Sequence, residues 1–265
     1  MSPTPPLSQL RIVLVEPAGP LNIGSVARVM KNFGLTQLVL VKPQGDPHSD
    51  DARQMAVHAY DIIEAATTVD SLPAALVDCQ RAIATTARNR DLNTPLESPE
   101  LALPWLLGSA APSALIFGPE DRGLNNDELL QAQRFIKIDT RPPYESLNLA
   151  QAVAICCYEL SRVGLRSQPL EQGTIPIQEP MASPDTGLAS LDQIDGYYHH
   201  LESVLLKIGY LYPHTAPSRM RKFRQLGHRA ALSNEDVAML RGILRQIDWA
   251  TPHHLPHQKP DPEAP

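Results

Sequence analysis

Polar side chains able to do chemistry gather in three short stretches of this chain. They are Thr85-Thr-Ala-Arg-Asn-Arg90, Gly118-Pro-Glu-Asp-Arg-Gly-Leu124 and Asp139-Thr-Arg-Pro-Pro-Tyr-Glu-Ser-Leu-Asn148. In the third, Ser146 and Asn148 open an apolar pattern of helical period through Leu149, Val153, Cys156, Cys157 and Leu160. Ser146 stands where an N-cap belongs, and Pro142-Pro143 exclude helix before it and stiffen the loop. A rigid loop that meets the free N–H groups of a first helical turn is a place for a small molecule. A well-capped helix after an ordinary loop has the same pattern, so the stretch alone does not decide.

Several chemistries can be set aside. Ser146 has no histidine placed to activate it, and no G-x-S-x-G elbow is present. Gly19-Pro-Leu-Asn-Ile-Gly24 lacks the dinucleotide fingerprint, no acid closes the second strand, and there is no P-loop. Nine histidines include the His199-His200 pair and His253, His254 and His257, but none has structural zinc spacing. Cys79, Cys156 and Cys157 lie unevenly in apolar segments and read as reduced core thiols, which implies a cytoplasmic protein.

The elements that must position these residues alternate. Arg11–Val15 is a continuous apolar run, the mark of a strand covered on both faces. A loop from Glu16 to Ser25 and a helix to Phe33 follow, with Gly34 as its C-cap. Strands are expected at Leu38–Val41, Asp61–Ile63, Arg81–Thr85, Ala114–Phe117 and Phe135–Ile138, with helices near Leu72–Val77 and Pro99–Leu107. That order predicts an α/β fold with a parallel sheet, its ligand site in loops beyond the carboxyl ends of the strands. All three polar stretches follow expected strands.

At 265 residues, 43% hydrophobic and 20% charged, the chain has the length and composition of one large or two modest globular domains. No apolar run reaches membrane-spanning length, and the N-terminus lacks a signal-peptide layout. Residues 10–165 form the expected α/β domain, 166–190 a Pro- and Gly-rich linker, 191–250 a small three-helix domain and 251–265 a disordered tail. The net charge is −6, yet Tyr210 to Asn234 carries five cations (Arg219, Arg221, Lys222, Arg224, Arg229) and no acid. That contrast marks a candidate phosphate-binding surface, with a solvated helix face as the plain alternative.

Three segments resemble the motifs of the SpoU branch of the SPOUT RNA methyltransferases, in order and in spacing. They are Asn22-Ile-Gly-Ser-Val-Ala-Arg28, Leu115-Ile-Phe-Gly-Pro-Glu-Asp-Arg-Gly-Leu124 and Ser146-Leu-Asn-Leu-Ala-Gln-Ala-Val153. Arg11–Glu16, Thr85–Arg90 and Leu240–Ile247 further resemble a bacterial, tRNA-directed branch of that family. The resemblance implies a parallel sheet closed by a C-terminal trefoil knot, although knots are rare in general. It implies a homodimer without metal or membrane, binding S-adenosyl-L-methionine and methylating the ribose 2′-hydroxyl of cytidine or uridine at position 32 of the tRNA anticodon loop. Another tRNA or rRNA ribose is the alternative target.

By the same resemblance, Thr85, Thr86, Ala87, Gly118, Pro119, Glu120, Ile138, Ser146, Leu147 and Asn148 hold the cofactor. Asn22, Arg28, Glu120, Ser146 and Asn148 match the catalytic set, and Arg88 and Arg90 join the five C-terminal cations in touching RNA. Arg28 is the family's proposed base. A guanidinium stays charged above about pH 12, so holding a target phosphate or stabilising an alkoxide are its other roles. For Asn22 an N-cap is the structural alternative. The loop Asp139-Thr-Arg-Pro-Pro-Tyr144 departs from the Ile-Pro start common in the wider family. Two rival classes remain: an RNA-binding relative that has lost turnover, and a nucleotide-binding oxidoreductase, disfavoured by the missing glycine fingerprint.

Overall fold

The structure, a computed structural model, describes residues 6–87, 95–141, 146–166 and 187–251. The chain divides into two units, Met1–Thr186 and Gly187–Pro265. Most of the expected linker and tail, at 167–186 and 252–265, lies outside the described residues.

The first unit is built on seven strands: β1 Leu10–Val15, β2 Gln37–Val41, β3 Thr67–Val69, β4 Arg81–Thr85, β5 Leu96–Glu97, β6 Ser113–Phe117 and β7 Arg134–Ile136. Their order is β3-β2-β1-β6-β4-β7-β5, and every pairing is parallel. β1 sits near the centre, with Val13 opposite Val39 on one side and Ile116 on the other. Ile12, Val13, Leu14, Leu115 and Ile116 have no exposed surface, as a strand packed on both faces requires. β6 and β7 each insert between strands that come earlier in the chain, which sets the loops after β1, β6, β4 and β7 side by side at the carboxyl ends of the strands.

Helices α1 Pro20–Asn32, α2 Asp50–Ala56, α3 Tyr60–Glu64, α4 Leu72–Ala75, α5 Pro99–Ala102, α6 Asn126–Leu129 and α7 Leu149–Arg166 complete this unit. α1 starts earlier than the sequence suggests because Pro20 presets its first turn. It buries Ile23, Val26, Ala27 and Met30, and Gly34 (φ 74°) ends it. α2 lies so close that a Cβ on Gly24 would strike the Ala52 carbonyl. Asp61-Ile62-Ile63, expected as a strand, belongs to α3, and the strand is β3. Three apolar-flanked residues cannot display a period, and the Lys31–Asp61 ion pair at 2.7 Å ties the segment to α1.

The second unit packs α8 Leu191–Lys207, α9 Ala216–Ala230 and α10 Asn234–Ala250 around Ile194, Tyr198, Val204, Leu211, Met220 and Leu244. Gly227 lets α9 close on α8, since a Cβ there would strike the Tyr198 hydroxyl. That hydroxyl donates to the Phe223 carbonyl at 3.2 Å. Beside it, half-buried His228 has its pKa lowered to about 4, by burial first and by the Arg224 charge second. The unfolded chain protonates this ring near pH 6.5, whereas the folded unit does not. Stability is therefore full above about pH 6.5 and falls towards about pH 4, by about 3 kcal/mol at most. Denaturant melts at about pH 7.5 and about pH 4.5 should show this loss, and His228→Gln should remove it.

Candidate active site

Three strand-end loops and the start of α7 enclose a pocket of about 430 Å³ in the first unit, within the range of about 300–1,000 Å³ usual for small-molecule sites. Phe117, Leu124, Ile136, Ile138, Leu147 and Leu149 give it apolar walls; Thr85, Thr86, Glu120, Asp121, Arg122 and Ser146 supply polar groups. Nine of the ten residues expected at the cofactor line it: Thr85, Thr86, Ala87, Gly118, Pro119, Glu120, Ile138, Ser146 and Leu147. The tenth, Asn148, stands beside it at the foot of α7.

Asn148 takes the capping role expected of Ser146. Its Oδ1 accepts from the Ala150 N–H at 2.9 Å, and its own N–H donates to Gln151 Oε1 at 3.2 Å. Ser146 lies three residues before the helix, exposed and lining the pocket. Asn22 is likewise no cap: Gly19 precedes α1, and Asn22 sits in its first turn. There its Nδ2 donates to Glu120 Oε1 at 2.5 Å, while its Oδ1 accepts from Asn148 Nδ2 at 3.2 Å. Glu120 Oε2 also accepts from the Ala18 N–H at 3.0 Å. An ionised carboxylate only accepts, so Glu120 sets the orientation of Asn22, and Asn22 that of Asn148. Residues 98 and 126 positions apart are thereby locked into one chain of hydrogen bonds.

A second network stiffens the loop after β6. Arg122 donates to both carboxylate oxygens of Glu128, at 2.9 and 3.0 Å, and to Glu16 Oε2 at 2.7 Å. Glu128 first, then Glu16, holds the guanidinium charged well above its ordinary range. Gly123 (φ 65°) turns the loop back, its N–H donating to the Pro119 carbonyl at 2.9 Å. Gly118 must be bare, because a Cβ would collide with the Leu124 nitrogen and stand 2.6 Å from the Gly123 carbonyl carbon. Thr85 Oγ1 donates to the Ile116 carbonyl at 3.1 Å, fastening the end of β4 to β6.

Sequence reasoning passed over Arg122 and Asp121, although both stand in the quoted motif, and over the strand residues Phe117 and Ile136. The structure does not bring Arg28 to this pocket. It is exposed on α1, six residues past Asn22, and makes no hydrogen bond or ion pair among the described residues. Arg88 and Arg90 lie outside the described residues, as does the side chain of Arg229. In the second unit Arg219 and Lys222 are exposed and Arg221 is half-buried. Arg224 departs from the expected phosphate-binding face. It donates to Asp195 Oδ1 at 2.7 Å and lies over the Tyr198 ring at 4.8 Å, so its charge is already committed.

Among the described residues no cluster of three His, Cys, Asp or Glu could hold a metal, and no helix is long and apolar enough to cross a membrane. The three cysteines are buried and form no disulfide, and burial pushes the Cys157 thiol up to about 12.

Late strands insert between early ones in a parallel sheet, and the pocket is built from its strand-end loops, the usual place for a ligand in an α/β fold. The model of the SpoU rRNA Methylase family matches residues 9–158, and that of the tRNA methyltransferase TrmJ C-terminal domain matches 192–258. The tRNA (cytidine/uridine/adenosine-2′-O-)-methyltransferase TrmJ of Pseudomonas aeruginosa is 40% identical over 245 residues, spanning 91% of this chain and 94% of that protein. The tRNA (cytidine/uridine-2′-O-)-methyltransferase TrmJ of Cronobacter sakazakii is 40% identical over 244 residues, 91% of this chain and 97% of the relative. Among solved structures, TrmJ from Z. mobilis matches with TM-score 0.77 at 31% identity, covering 90% of this chain and 98% of that one. A probable methylase family protein from Haemophilus influenzae matches with TM-score 0.59 at 32% identity, covering 92% and 97%. The chain belongs to the SpoU methylase family, and its C-terminal unit carries the TrmJ-type domain. Members of the family use a methyl donor.

Proposed function

We propose that this chain methylates the ribose 2′-hydroxyl of cytidine or uridine in tRNA, at position 32 of the anticodon loop, using S-adenosyl-L-methionine. The observation that carries the reading is the Asn148–Asn22–Glu120 chain, which locks three motif segments at the mouth of one pocket. The residues present suit the donor. The pocket has apolar walls for an adenosine moiety and the carboxylates of Glu120 and Asp121 for a cation, with Arg122 neutralised by Glu16 and Glu128. The missing Cβ at Gly118 lets the Gly123–Leu124 backbone pack against it, and that close return shapes the loop lining the pocket. Main-chain groups of Gly118, Ile138 and Leu147 suit adenine recognition, since loop backbone can reach the base edge.

When bound, the donor supplies an electrophilic sulfonium methyl, which passes to the ribose oxygen while the S–CH₃ bonding pair stays on sulfur. The protein's task is alignment and management of one proton. Glu120, through Asn22 and Asn148, sets the geometry of the pocket mouth, and Ser146 lines the path of approach. Arg28 steadies the alkoxide as the hydroxyl proton leaves to solvent.

Arg28 does this across a homodimer. Leu21 and Arg28, seven residues apart, share one face of α1, and Leu21 is 49% exposed. On α7, Tyr158 is 51% exposed and its ring contacts Phe33 at 6.2 Å, giving this layer an apolar outer surface for a second copy. Membership of the SpoU methylase family supports a knotted C-terminal path. The C-terminal unit holds the tRNA through Arg219, Arg221 and Lys222. Mass spectrometry of tRNA nucleosides after incubation with the purified chain and labelled S-adenosyl-L-methionine tests the reading. A 2′-O-methylated pyrimidine at position 32 is expected; tRNA left unmethylated by active donor-bound protein would overturn it.

A further inference from the structure

The loop joining α8 to α9 displays groups that neither the pocket nor the cationic face of α9 uses. Gly209 (φ 75°) ends α8, and Leu211 is drawn into the core at 1% exposure. The N–H groups of Tyr210 and Leu211 both donate to the Leu205 carbonyl at 3.0 Å. Past Leu211 the chain tightens again, the Tyr212 carbonyl accepting from the N–H groups of Thr215 and Ala216 at 2.9 Å. The Tyr212 N–H donates to Thr215 Oγ1 at 3.3 Å. Backbone bonds on both sides hold this loop, yet Tyr210 and Tyr212 remain 52% and 57% exposed. Their rings forgo the burial that usually places a tyrosine.

Other side chains complete the surface. The His214 ring stacks on Tyr212 at 6.0 Å with an interplanar angle of 24°. The Arg219 guanidinium lies over Tyr210, 5.6 Å from the ring centroid, and Nη1 donates to the Tyr210 carbonyl at 3.5 Å. Lys222 is exposed on the same helix as Arg219, one turn on. No acidic residue occurs from Tyr210 to Asn234. A patch meant for an apolar protein surface has no need of cations free of carboxylates. Flat rings interleaved with cations match a ligand that alternates flat bases with phosphates.

We infer that this loop is a stacking platform for unpaired bases of the RNA substrate. A nucleobase continues the Tyr212–His214 stack, and Arg219 and Lys222 meet the flanking phosphates. The inference rests on the reading of the chain as a tRNA methyltransferase and adds to it a recognition of unpaired nucleotides, whose exposed faces a duplex does not offer.

The test uses the full chain with an unmodified tRNA transcript and with an RNA duplex of matched phosphate number. Tyr212→Ala should weaken tRNA binding about tenfold or more, the effect of one lost base stack, without changing the salt slope. Tyr212→Trp keeps an aromatic face and should bind as the wild type does. Lys222→Glu should instead lower the slope by about 0.7–0.9. Duplex affinity should be indifferent to Tyr212→Ala. A 2-aminopurine in the anticodon loop should be quenched by wild type and not by the alanine variant. If Tyr212→Ala unfolds, Tyr212→Leu keeps the bulk without the π-face and should show the same loss. Wild-type affinity in a folded Tyr212→Ala or Tyr212→Leu chain, or a Trp variant as weak as these, would overturn the platform while leaving methyl transfer standing. So would an equal loss on duplex, which would point to a general structural or protein-contact role. A wild-type chain that bound no tRNA would instead overturn the functional reading.

Discussion

Gly118→Ala should abolish methyl-donor binding, lowering affinity about 100-fold or more, which is about 2.7 kcal/mol. The added Cβ would meet the backbone of Gly123 and Leu124, and backbone cannot rotate away as a side chain could. Leu124 is buried at 2% exposure, so the turn cannot shift outward without exposing it. Relief requires opening the Pro119–Gly123 turn, and the consequences spread through both networks. Arg122 would leave Glu16 and Glu128, and Glu120 would leave Asn22 and the Ala18 N–H. Calorimetric titration with S-adenosyl-L-methionine and with its demethylated product measures the loss. A stability penalty of about 1–3 kcal/mol should accompany it, small enough for the sheet to remain folded by circular dichroism. Donor affinity within a few-fold of wild type would show that the close return at Gly118 does not shape the site.

The frame of the fold was legible because its central strands are buried on both faces. Ile12–Val15 and Ala114–Phe117 are unbroken apolar runs, and the structure places both at the heart of the sheet. Local signals failed where a distant contact outvoted them. Asp61–Ile63 is helical because that conformation buries both Ile62 and Ile63 in the core while Asp61 stays outside, paired with Lys31 thirty residues away in sequence. Ser146 and Asn148 were equally good caps by residue type, and Gln151 settled the choice by accepting the Asn148 N–H. The pocket residues Phe117 and Ile136 look like any strand interior until the loop beyond each is known. Arg122 gave no sign of its partner Glu16, 106 residues earlier. Arg224 shows the reverse error: its charge was countable in sequence, but Asp195, on another helix, neutralises it. Motif residues therefore marked where the pocket lies, and only tertiary contacts showed which of them line it.

Arg28→Ala should remove turnover, by about 1,000-fold if the guanidinium stabilises charge in the transition state as oxyanion-hole donors do, while donor affinity stays unchanged. The side chain is exposed, lines no part of the pocket and has no partner among the described residues, so its loss should cost little stability. Arg28→Lys separates the two kinds of role. Lysine keeps the charge and should retain tRNA affinity, but without the planar fork it should recover only a small part of the rate. A shared site makes a sharper demand. The helix places Arg28 about 9 Å along its axis from Asn22, six residues at about 1.5 Å each, and on the face it shares with exposed Leu21. In the proposed homodimer, an arginine so placed serves the pocket of the second copy. Chains carrying Arg28→Ala and chains carrying Asn148→Ala should each be inactive alone. Co-purified through two different tags, the mixed dimer holds one pocket with intact Asn148 facing an intact Arg28, and should recover up to about half of the activity per dimer if the two pockets act independently. Recovery requires exchange of residues between subunits. Verified mixed dimers with no activity would place Arg28 in service of its own pocket, and the α1 face would then be a dimer contact without a catalytic share.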